Sequence, residues 1–356
     1  MKATTLRTLS SVFALALVLP ACVGEVGGGS ASRGRTAGSG DGSGSGSGDC
    51  EEVTAAVSIR STADFDELPK GCWDLYAPLT IQGSAITSLN KLGDLVGVDS
   101  IEIIGTNLTT IDTAKPLKVY GPVTVSGNGT LRDLKNLIVE RADNIPLGVT
   151  VEDNTALVSL DGLVDLTYLD TDLVVTGNQA LSAVSLKRLK QIDGVVRVTN
   201  NAALTQVDLS AATTVGKIEL MNNANLTTFA GLAATTISGD LVIRTNPKLS
   251  TLGTMSSLGR IDGSLTIDDN DALTTIGAFT TSMQLVSGSV TIANNQALTA
   301  LGQISHLQGI GTATITNNPS LSTCRAVEVD HCVGSHGTIT ISNNADDDNC
   351  NCYCGR

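Results

Sequence analysis

The amino-acid sequence predicts an all-β solenoid of about twelve stacked coils, and three observations support this fold class. Asparagine recurs at intervals of 22 to 26 residues, and aliphatic residues stand five and three positions before it, which is the alternation of a half-buried strand. A coil of this length cannot close a core by itself, so each coil must stack on its neighbours. The recurring asparagines are Asn128, Asn154, Asn178, Asn201, Asn223, Asn246, Asn270, Asn295, Asn318 and Asn344.

The start of the repeat array follows the same plan with small changes. Two upstream coils, with Leu79/Ile81 and Ile101/Ile103 as their inward pairs, have turns one residue shorter and lack the asparagine. Before them, residues 61–68 have the pattern of a short capped helix, acidic in its first turn, which we expect to cover the open end of the stack. A glycine that suits a tight corner precedes the main strand at Gly194, Gly216, Gly239, Gly263, Gly288, Gly311 and Gly337.

The recurring asparagine has a structural explanation. Stacked at one turn in successive coils, the amides can bond to each other and to the turn backbone, and so satisfy polar groups that an aliphatic solenoid would otherwise bury unpaired. The sequence therefore predicts a structural asparagine ladder rather than a ligand site.

The repeat pattern, Gly-x-(Leu/Val)-x-(Ile/Val)-x-x-Asn-x-x-Leu-x-x-(Leu/Ile), preceded by Asp66-Glu67-Leu68 and Gly71-Cys72, resembles the receptor L domain and its bacterial lipoprotein relatives. The resemblance covers roughly residues 50–356. It implies a single-stranded right-handed β-helix with disulfide-bonded end caps, here residues 50–76 and 324–356, and a role in ligand binding. The chain has no kinase, furin-like module or transmembrane helix pattern, so receptor signalling is not implied.

The N-terminus has the features of a secreted chain. Residues 1–21 combine basic residues with a short apolar run, as in a signal peptide, and Leu19-Pro20-Ala21-Cys22 resembles the bacterial lipoprotein cleavage box, although Pro20 departs from it. This resemblance implies a lipid on Cys22 and, because Val23 is not the aspartate associated with inner-membrane retention, a place on the outer membrane or cell surface. An ordinary cleaved signal is the alternative. Residues 22–49 form a Gly/Ser-rich tether.

The other cysteines fit an oxidising compartment. We expect Cys50 to pair with Cys72, and the pairing within the distal group, Cys324, Cys332, Cys350, Cys352 and Cys354, is open. A metal site from the last three cysteines with His331 or His336 is the less favoured interpretation, because Cys-x-Cys-x-Cys does not match the usual zinc-ligand spacing.

The outward strand positions form one sheet face with threonine-rich ends and a mixed, charged centre. That centre, the candidate binding face, consists of Arg197, Glu219, Met221, Arg244 and Asp268. The plainer interpretation is that Arg197 pairs with Glu219 and Arg244 with Asp268 between neighbouring coils. A second outward stripe holds Ser182, Thr205, Thr227, Ser250, Thr274, Thr299 and Ser322. Threonine stripes resemble ice-binding faces, but the charged centre interrupts the pattern on the main strand.

The net charge of −13 argues against a nucleic-acid partner, since phosphate binding needs clustered Lys and Arg. No nucleophile motif accompanies His306, His331 or His336, and the acidic runs 268–271 and 346–348 do not match a calcium loop. The sequence favours a non-catalytic envelope protein that binds an extracellular protein or glycan and needs no cofactor. The alternatives are a carbohydrate-active β-helix enzyme and a purely structural envelope protein.

Overall fold

The computed structural model describes residues 50–277, 279 and 283–346, and these form a right-handed, all-β parallel solenoid of about 13 turns. The strands in chain order are β1 Glu51–Val53, β2 Val57–Ile59, β3 Cys72–Gln82, β4 Asp94–Ile104, β5 Leu117–Val119, β6 Val123–Ser126, β7 Leu137–Val139, β8 Val149–Glu152, β9 Tyr168–Leu169, β10 Leu173–Thr176, β11 Ala183–Ser185, β12 Gln191–Thr199, β13 Gln206–Asp208, β14 Thr214–Met221, β15 Thr228–Gly231, β16 Thr236–Ile237, β17 Leu241–Arg244, β18 Thr251–Thr254, β19 Arg260–Ile261, β20 Leu265–Asp268, β21 Leu285–Val286, β22 Val290–Ala293, β23 Gly309–Ile310, β24 Ala313–Thr316 and β25 Ile339–Ser342.

Helices are few and short in the described residues. One α-helix, α1 (Thr323–Cys332), lies in the chain between strands β24 and β25. The 3-10 helices are Asp64–Glu67, Asn90–Leu92, Asp161–Leu163 and Gly302–His306. The first is shorter than the helix expected over 61–68, and the Asp64 carboxylate accepts the backbone N–H groups of Arg60 and Ser61 at its start.

The largest ladder, here called the main ladder, contains one strand segment from every coil. It runs through β2, β3, β4, β6, β8, β10, β12, β14, β17, β20, β22, β24 and β25, each parallel and in register with the next. The sequence prediction of about twelve coils is one short because β2 lies within the segment expected to form the N-terminal cap. β1 and β2 both pair with β3 and make up the first coil.

Two further ladders complete the wall of the solenoid. The second ladder contains β1, the first parts of β3 and β4, β5 and β7, and then resumes with β9, the first parts of β12 and β14, β16, β19, β21 and β23. Residues 140–148 follow β7 between these two series. The third ladder pairs β11, β13, β15 and β18, and isolated bridges such as Met255 with Phe279 extend it.

The core is aliphatic, as the composition predicts. The two inward positions of every main strand from β3 to β24 are buried, for example Leu241 and Ile243, both fully inaccessible. The inward positions of β2 and β25, at the two ends of the stack, are mostly half-buried. Each fully buried side chain contributes roughly 1.5–3 kcal/mol relative to exposure. Trp73 is the largest fully buried side chain, and its Nε1 donates a hydrogen bond to the carbonyl oxygen of Leu92 at 2.9 Å.

The corner glycines are required by the close approach of successive coils and not by an unusual backbone conformation. The N–H of Gly311 donates to the carbonyl oxygen of Gly288, and the N–H of Gly288 donates to that of Gly263, both at 2.9 Å. A Cβ on Gly337 would lie 2.7 Å from the carbonyl oxygen of Gly311. Since these corner glycines do not have left-handed φ angles, the space between successive coils is what excludes a side chain.

Candidate functional site

The asparagines form the predicted ladder through the interior of the turns. Asn154 shows the repeating geometry: its Oδ1 accepts the backbone N–H of Asn128 at 3.0 Å and the Nδ2 of Asn128 at 2.9 Å, and its own Nδ2 donates to the carbonyl oxygen of Val125. The same contacts recur down the stack, and the asparagines from Asn128 to Asn318 have no exposed surface. Because these amides bond one another and the turn backbone, their observed role is structural.

One residue of this ladder was missed by the sequence analysis. Thr106 stands at the asparagine position of an upstream coil, and both its backbone N–H and its hydroxyl donate to Asn128 Oδ1, at 2.9 and 2.6 Å. Its position, three residues after the inward Ile103, could have identified it.

The residue before every ladder asparagine has a left-handed φ angle, and it is usually Asn, Asp or Gly. Thr245, with a φ of 53°, is the β-branched exception.

Four hydroxyl groups of the second outward stripe bond to the backbone of the preceding coil. The hydroxyl of Thr205 donates to the carbonyl oxygen of Ser182 at 3.0 Å, and that of Thr227 to the carbonyl oxygen of Thr205 at 3.0 Å. Ser250 and Thr299 repeat the contact. These hydroxyls therefore support the third ladder, which gives the stripe a structural explanation independent of any ligand.

The candidate binding face lies on the outside of the main ladder in adjacent coils. Arg197 is in register with Glu219, and Met221 with Arg244, which is itself in register with Asp268. The structure therefore brings all five residues onto one patch of β12, β14, β17 and β20. Both predicted ion pairs are present, with Arg197 Nε 2.6 Å from Glu219 Oε2 and Arg244 Nε 2.9 Å from Asp268 Oδ2.

Lys217 enlarges the first ion pair into a network. Its Nζ lies 3.0 Å from Glu219 Oε1 and 3.0 Å from Asp240 Oδ2. Burial raises the pKa of Glu219, but hydrogen bonds from Arg197 and Lys217 outweigh it and hold the pKa of this carboxyl below its usual value. Hydrogen bonds to Asp240 and Glu219 raise the pKa of Lys217. The sequence analysis missed Lys217 because it precedes the strand positions that were read as outward.

The second ion pair begins a row of exposed amides. Asp268 Oδ1 accepts the Nδ2 of Asn294 at 2.8 Å, Asn294 accepts that of Asn317 at 3.1 Å, and Asn317 accepts that of Asn343 at 2.9 Å. The Asp268 side chain is only 12% exposed and contacts both Arg244 and Asn294. These contacts explain Asp268 without calcium, and residues 347 and 348 of the other acidic run lie outside the described residues.

The two arginines are the accessible part of this face. Their side chains are 42% and 59% exposed, whereas their carboxylate partners are 14% and 12% exposed. Each guanidinium is held through Nε, and in the described part of the chain we find no partner for the Nη groups of either arginine. A guanidinium fixed on one side can bind a carboxylate, phosphate or sulfate oxygen with its Nη groups.

A second polar cluster lies beside residues 140–148, where the second ladder is interrupted. The guanidinium of Arg141 lies 4.3 Å from the ring centre of Tyr168 and donates to Asp170 at 3.1 Å, while the Tyr168 hydroxyl donates to Asp193 at 2.8 Å. The sequence analysis missed this cluster. The 26-residue interval between Asn128 and Asn154, among the longest in the array, was the available signal.

The histidines lie near the C-terminal helix. His306 Nδ1 is 2.9 Å from the buried hydroxyl of Ser305. The Nε2 atoms of His331 and His336 lie 4.0 and 3.9 Å from the two carboxylate oxygens of Asp330. The cysteines of the less favoured metal site, Cys350, Cys352 and Cys354, lie outside the described residues, as does the lipidation candidate Cys22.

The Cys50–Cys72 disulfide is present, as the sequence predicts. Cys324 and Cys332, at the two ends of α1, are also disulfide-bonded. None of the helices in the described ranges is long and apolar enough to cross a membrane.

Comparison with known proteins adds no relative. No protein-family model, no curated protein and no solved structure matches this chain.

Proposed function

We propose that this chain is a lipid-anchored, non-catalytic protein of the bacterial outer membrane or cell surface, and that it recognises an extracellular protein or glycan. In this proposal the solenoid is a receptor L-domain-like module, Cys22 carries the lipid, and residues 23–49 space the solenoid from the membrane. The likeness to receptor L domains rests on the repeat pattern and the Gly71-Cys72 segment, together with the Cys50–Cys72 disulfide.

The observation that carries the proposal is that the accessible guanidinium groups of Arg197 and Arg244 flank the half-buried Met221 on one face of the main ladder. The three outward side chains belong to consecutive strands of the main ladder, so their spacing is fixed by the strand register. Arginine and methionine are enriched at protein–protein interfaces. The carboxylates Glu219, Asp240 and Asp268 balance the charges of Arg197, Lys217 and Arg244, which makes this patch close to neutral in a chain of net charge −13.

The test is capture of surface proteins and glycans by unlipidated protein, residues 23–356, made in an oxidising compartment. The parent is compared with an Arg197→Ala/Arg244→Ala variant. The matched control is Arg188→Ala/Arg260→Ala, since both control arginines are also exposed and paired with a carboxylate, but they lie off this face. We expect the first variant, and not the control, to lose the captured molecule.

Other outcomes separate the alternatives. Capture that survives the Arg197→Ala/Arg244→Ala change would move the recognition site elsewhere on the solenoid. Shortening of a captured glycan during incubation would favour a carbohydrate-active enzyme. Failure to capture any component would favour a purely structural role in the envelope.

A further inference from the structure

The disulfide joins the point where the tether ends to the second coil. Cys50 is the first described residue after the Gly/Ser-rich segment, and Cys72 is the first residue of β3. β1, β2 and the 3-10 helix Asp64–Glu67 all lie in the chain between these two cysteines. A covalent bond therefore bypasses the whole first coil.

We propose that the Cys50–Cys72 disulfide transmits a pulling force on the tether directly into β3, so that the first coil carries none of it. The physiological value of this device rests on the proposed membrane anchoring, because an anchored solenoid that holds a partner is pulled through its tether. The mechanical property itself belongs to the fold and does not depend on the identity of the partner.

Without the bond, the first coil would be the weakest point of the array. β1 and β2 each form only three register pairs with β3. Glu51 and Glu52 are exposed, and Val53 and Val57 are only half-buried against the core. Pulling at residue 50 would open these pairs one after another, which takes less force than opening many together.

With the bond, the force reaches a strand that is anchored on two sides. β3 has eleven residues and pairs with β4 from Cys72 onward, in addition to β1 and β2. Trp73, the residue next to the disulfide, is fully buried and donates its indole N–H to Leu92 in the following coil. Peeling β3 from its start would have to extract this side chain, which buries about 150–250 Å².

Magnetic tweezers on the chain from Val23 test the proposal. One handle is attached to the N-terminus of the tether and the other to an azide-bearing residue at exposed Lys135, in the fourth coil, so that only the first coils are loaded. In a Cys50→Ser/Cys72→Ser variant we expect a new extension of roughly 70 Å, from a separation of 22 residues at ~3.4 Å each. It should occur at a lower force than any step of the parent.

A second measurement needs no change to the cysteines. In the parent, the N-terminal handle is moved to exposed Ala55, which lies inside the disulfide loop and loads β1 and β2 directly. We expect the first opening at a lower force than with the handle on the tether. Trp73→Phe, which keeps the disulfide but loses the indole hydrogen bond, should lower the force needed when the tether is pulled.

The proposal is overturned if pulling at Ala55 and pulling at the tether open the parent at the same force. It is equally overturned if the double cysteine variant folds and opens at the parent's force. Both results are read without a lipid or a partner, so they are independent of whether the proposed recognition function is correct.

Discussion

The side-chain oxygen of Asn154 accepts two hydrogen bonds from Asn128, one from its backbone N–H and one from its side-chain amide. Both residues have no exposed surface. Each asparagine of the ladder thus satisfies buried donors of the preceding coil while its own amide satisfies a buried carbonyl oxygen. Coil-to-coil stacking in this solenoid therefore depends on polar as well as apolar contacts.

Loss of one ladder asparagine should destabilise the middle of the solenoid. Asn223→Ala removes the acceptor for two donors of Asn201 and the donor to the Val198 carbonyl. Because these groups are buried, we expect a loss of about 2–4 kcal/mol in unfolding free energy. Urea denaturation, with hydrogen exchange in the neighbouring coils, measures it. Asn225→Ala is the control, because its bond to Ala202 is only partly buried and its bond to Lys248 is exposed. Equal losses in the two variants would contradict a structural ladder.

Thr245 should be a site of stored backbone strain. It has a left-handed φ of 53°, whereas Asn222 has the equivalent position and nearly the same angle in the preceding coil. Thr245→Asn should raise the unfolding free energy by about 0.5–1 kcal/mol, because asparagine tolerates this conformation better than a β-branched residue. The reverse change, Asn222→Thr, should lower it by a similar amount. Thermal melting of both variants checks the pair, and shifts of the same sign would refute the explanation.

The Glu219 network should make stability depend on acid pH. Because the folded pKa of Glu219 lies below its ordinary value, its contribution is present above the unfolded pKa and is lost as the pH falls through the folded pKa. Asp240, whose pKa is lowered by the Ser264 N–H and then by Lys217, acts in the same direction. Glu219→Gln should cost about 1 kcal/mol at pH 7, since its partners are partly exposed. Its denaturation midpoint should also fall less than the parent's between pH 6 and pH 3; parallel curves would count against the network.

The inward register of the main ladder can be tested within one strand. Ile243 is fully buried, and the adjacent Val242 faces outward in β17. Ile243→Asp buries an unpaired charge and should unfold the neighbouring coils, a loss of more than about 4 kcal/mol. Val242→Asp should cost less than about 1 kcal/mol. Circular dichroism melting curves distinguish the two variants, and an unchanged curve for Ile243→Asp would show that the register is wrong.

The candidate binding face could be predicted in part. The regular spacing of the repeat identified Arg197 with Glu219 and Arg244 with Asp268 as neighbours, because in-register parallel strands place equivalent positions side by side. Lys217 could not be assigned in this way, since it stands near a corner where the strand direction changes. Arg141 and Tyr168 meet only because residues 140–148 leave the regular path, and no periodic rule places them.

The sequence by itself indicated the pairing of Cys50 with Cys72. It also determined the properties that repeat: the parallel solenoid, its inward aliphatic pairs and the asparagine ladder. These features depend on one local pattern of 22–26 residues, which stacking multiplies. Only the tertiary structure showed that β2 makes an additional coil. It also showed that the corner glycines allow successive coils to approach closely, and that four stripe hydroxyls bond the preceding coil. These depend on how each corner turns and how closely one coil approaches the next, which are distances between residues far apart in the chain.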